Sequence, residues 1–105
     1  MFRVTVLYPY DEAHPFNRAH YLEVHIPLTV EKLGAHIERL SVEFGLAGGL
    51  PGSKPHFAAI ATFDTKSLKD FNQAFAALAA VLSGDLPNYS AHPPKIQLSE
   101  VALPK

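Results

Sequence analysis

The chain has no cysteine and no tryptophan, and only 18% of its 105 residues are charged. Without cysteine it has neither a disulfide frame nor a thiolate metal site. That absence is compatible with a reducing cytoplasm, the expected location. So low a charge content is unusual for the free surface of a small domain, so some surface is expected to be buried against a partner. The net charge is -1, and the lysines and arginines are scattered with no basic run. Nucleic-acid binding, which depends on clustered cations, is therefore not expected. No stretch is long and apolar enough to span a bilayer. Met1 to Val6 lacks the charged segment and apolar run of a signal peptide, so no membrane role is expected.

What is present reads as one domain spanning residues 1–105. Residues 2–8 alternate, with Phe2, Val4, Val6 and Tyr8 on one face, and Pro9 stops this first strand. Asn17 can cap a helix running to Val24 or His25. Pro27 marks a break there and suits the first turn of a new segment that Gly34 ends. Residues 37–44 alternate again as a second strand with one polar face. The glycine-rich stretch 45–55 is a long connection without the ending of a phosphate-binding loop. Residues 57–63 form a third strand, apolar on both faces. Ser67 opens the clearest periodic segment, with Leu68, Phe71, Phe75, Leu78 and Leu82 in one stripe of a helix that Gly84 ends. Residues 95–101 form the last strand. The order βαββαβ predicts a ferredoxin-like α+β fold: a four-stranded antiparallel sheet with both helices on one face. The two-sided third strand then calls for a cover on the free face, and a second copy closing a dimeric α+β barrel is the simplest one.

Two segments carry polar groups that the fold does not require. Tyr21 and His25 stand one helical turn apart and share a face. His25 is a candidate acid or base, with Tyr21 orienting it; alternatively it closes a helix end by bonding an orphan carbonyl. In the segment from Asp85 to Tyr89, Asn88 and Tyr89 can hold a carbonyl or enolate oxygen at a pocket mouth, or can simply make a turn. Asp85 is a weaker candidate, because an anion opposes the dipole at a helix C-terminus. Tyr8 points into the same cavity or belongs to the core. His20, five residues before His25, is expected to point away from it at the surface or a dimer rim. His14, His36, His56 and His92 receive no role. No pair of histidines has the four-residue helical spacing of a zinc site, so no metal is expected.

Val6-Leu7-Tyr8-Pro9, Tyr21-Leu22-x-x-His25-x-Pro27-Leu28 and Gly45-Leu46-Ala47-Gly48-Gly49 with Pro51-Gly52 occur in that order. They are followed by Asp85-x-Pro87-Asn88-Tyr89 and Ile96-Gln97-x-Ser99-Glu100-Val101. With these pieces the chain resembles the EthD family, named for ethyl tert-butyl ether degradation. The resemblance implies a ferredoxin-like fold, a homodimer and a small-molecule pocket between helices and sheet. Relatives in the same barrel superfamily include cofactor-free monooxygenases, lactone isomerases and polyketide-tailoring enzymes.

The leading expectation is a cofactor-free enzyme acting on a hydrophobic carbonyl or phenolic molecule. His25 would move the proton while Tyr21, Asn88 or Tyr89 holds the oxyanion. The alternative is a non-catalytic binding or carrier protein with the same pocket. A haem-handling relative, with His25 as axial ligand, is disfavoured by the missing tryptophan, and a Soret band on haem addition would revive it.

Overall fold

The computed structural model describes residues 1–104. Strand β1 (Phe2–Pro9) buries Val4, Val6 and Tyr8 on one face, as its alternation requires. The helical run that follows is capped by Asn17, whose side-chain oxygen accepts from the His20 amide at 3.0 Å. It comprises α1 (Arg18–His20), a π-helical turn (Tyr21–His25), α2 (Ile26–Leu33) and a 3₁₀ turn (Gly34–His36). No break occurs at Pro27, contrary to expectation. Proline interrupts a helix because it lacks an N–H and its ring presses on the carbonyl four residues back. Here the Ile26 amide bonds the Tyr21 carbonyl five residues back, so the turn is already widened just ahead of the ring.

Strand β2 (Arg39–Phe44) starts two residues later than the alternation suggested. Ile37 is still held by the preceding turn through the Gly34 carbonyl at 3.2 Å. Gly45 then passes so close to β3 (Phe57–Thr65) that a Cβ on it would collide with the Phe57 carbonyl and the Pro55 ring. Ser67 caps α3 (Leu68–Asp85) by accepting from the Asp70 amide at 3.2 Å. A 3₁₀ turn (Leu86–Asn88) leads on toward β4 (Lys95–Glu100).

The sheet order is β2-β3-β1-β4, every neighbouring pair antiparallel. The register places Val4 opposite Phe63, Val6 opposite Ala61 and Tyr8 opposite Ala59. These side chains meet Tyr21 and Leu33 from the first helical run and Phe71, Leu78 and Leu82 from α3. This is the ferredoxin-like α+β arrangement. The opposite face, including Arg3, Thr5, Leu7, Ala58, Ile60, Thr62 and Asp64, is covered by no element among the described residues. It is apolar at only one end. The third strand runs past Phe63 to Thr65, and Asp64 binds the Arg3 guanidinium, with Nε to Oδ1 at 2.6 Å and a second nitrogen to Oδ2 at 3.1 Å. No helix among the described residues is long and apolar enough to cross a membrane.

Candidate functional site

The helices do not cover the whole inner face of the sheet. Between α3, the π turn and strands β1 and β4 lies a cleft of about 230 Å³. Val6, Phe63, Phe75, Leu82 and Ile96 give it apolar walls, and Tyr8, Tyr21, His25 and Tyr89 supply its polar edge. Its lining has no lysine or arginine, so a phosphate or sulfate would find no cationic partner there.

The polar edge is one continuous hydrogen-bonded chain. His25 Nδ1 lies 3.0 Å from Asp85 Oδ2, and its Nε2 lies 3.3 Å from the Tyr89 hydroxyl. The Tyr89 hydroxyl lies 3.1 Å from that of Tyr8. A carboxylate only accepts, so His25 carries its proton on Nδ1 and donates to Asp85. The neutral ring then has its Nε2 lone pair free to accept from Tyr89. Asp85 is fixed independently, because His20 Nε2 at 2.8 Å and the Asn88 amide at 2.9 Å both donate to its Oδ1. The rings pack as tightly as they bond, with His25 stacked on Tyr21 at 5.3 Å between centroids and 4.6 Å from Tyr89.

Burial sets the protonation states. It lowers the His25 pKa below the usual histidine value, and the opposing pull of Asp85 does not make up the loss. Burial also works to raise Asp85, but hydrogen bonds from Asn88, His20 and His25 outweigh it and keep the carboxyl below the usual carboxylate range. Desolvation raises Tyr8, Tyr21 and Tyr89, so all three remain phenols near neutrality. The site is thus a neutral imidazole base, an ionised carboxylate behind it and phenolic donors in front.

The structure brings Tyr8, Tyr21, His25 and Tyr89 onto the cleft wall. Asn88 lies outside that lining, exposed, with its amide turned to Asp85. Asp85 stands behind His25 and also outside the lining, its charge at the helix end answered by two imidazoles and an amide. His20 does not point away from His25. On a regular helix five residues are about 140° apart, but the wider π turn brings both rings to one carboxylate. Nothing in a 3.6-residue reading signals this. The one local clue is Asn17, whose cap fixes the helix start three residues before His20.

A second carboxylate is also held between two histidines. Asp11 Oδ2 lies 3.0 Å from His14 Nδ1 and 2.7 Å from His92 Nε2, tying the loop after β1 to the segment before β4. Hydrogen bonds from His92 and His14 lower the Asp11 pKa to about 2. No group of three or more histidine, aspartate or glutamate side chains among the described residues is arranged to hold a metal.

These shifts predict acid destabilisation in two stages. His25 has a folded pKa below its unfolded value of about 6.5, so its contribution is complete above about pH 6.5 and declines as pH falls toward the folded value. Asp11, Asp64 and Asp85 are likewise depressed, so their contributions hold above about pH 4 and are lost as pH falls further. Melting temperature should therefore decline from about pH 6.5 and decline again below about pH 4. Thermal melts across this range check it: His25→Asn should remove the first stage alone, and a flat profile down to about pH 4 would contradict the assignment.

No protein-family profile matches the chain, and no curated protein sequence matches it. Solved structures do. The crystal structure of an EthD-like protein from Ralstonia eutropha JMP134 is 36% identical, with a TM-score of 0.93 over 99% of this chain and 94% of that one. An EthD family protein from Bacillus halodurans C-125 is 18% identical, with a TM-score of 0.71 over 96% of this chain and 98% of that one. A protein from Agrobacterium tumefaciens is 17% identical, with a TM-score of 0.60 over 99% and 95%. The last two are similar in fold alone.

Proposed function

The chain belongs to the EthD family, and on that basis we propose that it is an acid–base enzyme for a small apolar molecule bearing a carbonyl or phenolic oxygen. The observation that carries this reading is the chain from Asp85 through His25 and Tyr89 to Tyr8, which ends on the wall of an otherwise apolar cleft. Asp85 holds His25 in the tautomer whose Nε2 accepts a proton. Tyr89 and Tyr8, kept as phenols by burial, supply donors to an oxyanion that forms beside them. Isomerisation, dehydration and oxygenation of an enolate all need such a base and such donors. Asn88 acts in this reading through Asp85 rather than on substrate, and Tyr21 acts by stacking on His25.

The test is a turnover screen of apolar ketones, lactones and phenols, followed by the pH dependence of kcat/KM for any compound converted. A bell-shaped profile, with the low-pH limb set below the usual histidine pKa, is the expected result. Saturable binding with the ligand recovered unchanged would make the protein a carrier instead.

We also propose that the protein is a homodimer in a cytoplasmic setting, with the two sheets packed face to face. The uncovered outer face, with Leu7, Ala58 and Ile60 partly buried at one end, supports this, as does the low charge content. A monomeric mass in dilute solution would sink it.

A further inference from the structure

The imine nitrogen of a neutral imidazole has a single lone pair, lying in the ring plane. In His25 that lone pair meets the Tyr89 hydroxyl at 3.3 Å, while the opposite nitrogen is committed to Asp85. A proton leaving a ligand thus reaches His25 through Tyr89. The direction of every hydroxyl in the row follows from this one nitrogen. With His25 neutral, Tyr89 donates to Nε2, and the Tyr89 oxygen is left to accept from Tyr8 at 3.1 Å. Both of these phenolic protons are then used inside the protein, and Tyr8 and Tyr89 offer the cleft lone pairs only. With His25 protonated, Nε2 donates to Tyr89, Tyr89 donates to Tyr8, and the Tyr8 proton is released to the cleft.

We propose that Tyr89 and Tyr8 form a reversible hydroxyl arm that couples binding of a ligand oxyanion, a phenolate or enolate, to uptake of one proton by His25. The proposal rests on the acid–base reading above and deepens it. In the forward sense the ligand O–H bond breaks toward Tyr8, the Tyr8 O–H bond toward Tyr89 and the Tyr89 O–H bond toward Nε2, and the result is a ligand oxyanion, two neutral tyrosines and an imidazolium. No oxidant or second reactant is needed. The groups facing His25 are Asp85 from α3, His20 and Tyr21 from its own helical run, Tyr89 from the segment after the 3₁₀ turn and Tyr8 from β1. Asp85 is the one anion among them. Three N–H groups hold it and keep its carboxyl below the usual carboxylate range, so it steadies the imidazolium without taking its proton. The proton therefore stays on His25 until it returns along the arm.

The experiment is calorimetric binding of 4-nitrophenol at about pH 8, where the probe is an anion and His25 is neutral, in two buffers of different ionisation enthalpy. The wild-type protein should take up at least about half a proton per probe bound. In Tyr89→Phe the phenyl ring cannot pass the signal, and Tyr8 is freed to donate directly, so the probe should still bind with uptake near zero. In Tyr8→Phe uptake should persist while binding weakens by about tenfold, the loss of one hydrogen bond to a charged group. Wild-type binding without proton uptake, or uptake that survives in Tyr89→Phe, overturns the arm and leaves the cleft assignment standing. Absence of any shift in the Tyr8, Tyr89 and Ile96 resonances on adding the probe overturns the underlying reading as well.

Discussion

Replacing His25 by alanine should lower turnover by about 10²- to 10⁴-fold, the usual share of a positioned acid or base. The protein should stay folded. His25 is buried at 6% exposure, and truncation takes one of three N–H partners from Asp85 and the acceptor from Tyr89. Losing partners of this kind costs about 1–3 kcal/mol, against a total stability of about 5–15 kcal/mol for a domain. A companion variant, Asp85→Asn, separates the base from its support. An asparagine whose oxygen still accepts from His20 and Asn88 turns its NH₂ toward His25 Nδ1. That ring must then accept there and carry its proton on Nε2, the wrong tautomer for taking a proton through Tyr89. Loss of turnover should approach that of His25→Ala, and the ¹⁵N shifts of the imidazole should report the exchanged tautomer. Full activity in either variant, measured on a compound that the wild type converts, would remove the acid–base role.

The largest effect on stability is expected at Phe71→Ala. Phe71 is 1% exposed and stands between Phe63 on β3 and Phe75 on its own helix, at 5.9 and 6.2 Å between ring centroids. Truncating a buried phenylalanine costs about 3–5 kcal/mol, in lost transfer energy and in the cavity left behind. For a domain of this length that corresponds to a fall in Tm of roughly 12–40 °C. Val81, on the same helix but 53% exposed, should lose no more than about 0.5 kcal/mol on the same change. Paired denaturation curves decide the matter: a Phe71→Ala midpoint close to that of Val81→Ala would mean that α3 is not anchored where the periodicity places it.

The element order was legible because its signals are local and repeated. Alternation across residues 2–8 and 57–63 places side chains on two faces, and the three- and four-residue steps from Leu68 to Leu82 mark the buried stripe of α3. Boundaries were less legible. Ile37 reads as a strand residue by alternation, but a hydrogen bond to Gly34 keeps it in the turn. Asp64 reads as outside the strand, but Arg3 across the sheet makes a carboxylate acceptable there. Of the site, the residue types were legible and their partnerships were not. Asp85 lies 60 residues from His25 and 65 from His20 in sequence, and only the closed fold reveals that it serves both. Its position at a helix C-terminus argued against it, because the compensating imidazoles come from another element. The position of His20 is illegible for a different reason: a regular helical wheel has no place for a widened turn.

That turn gives the segment a one-sided tolerance. Leu22, Glu23 and Val24 are exposed and free to vary in type. Deleting any one of the three would let the chain rewind as an ordinary helix with the two histidines four residues apart, still on one face. The widened turn thus absorbs the loss of a residue without carrying His25 off the carboxylate it shares with His20. An added residue has no such slack: it would rotate everything beyond it by about 100°, whereas the open connection from Gly45 to His56 has room for one.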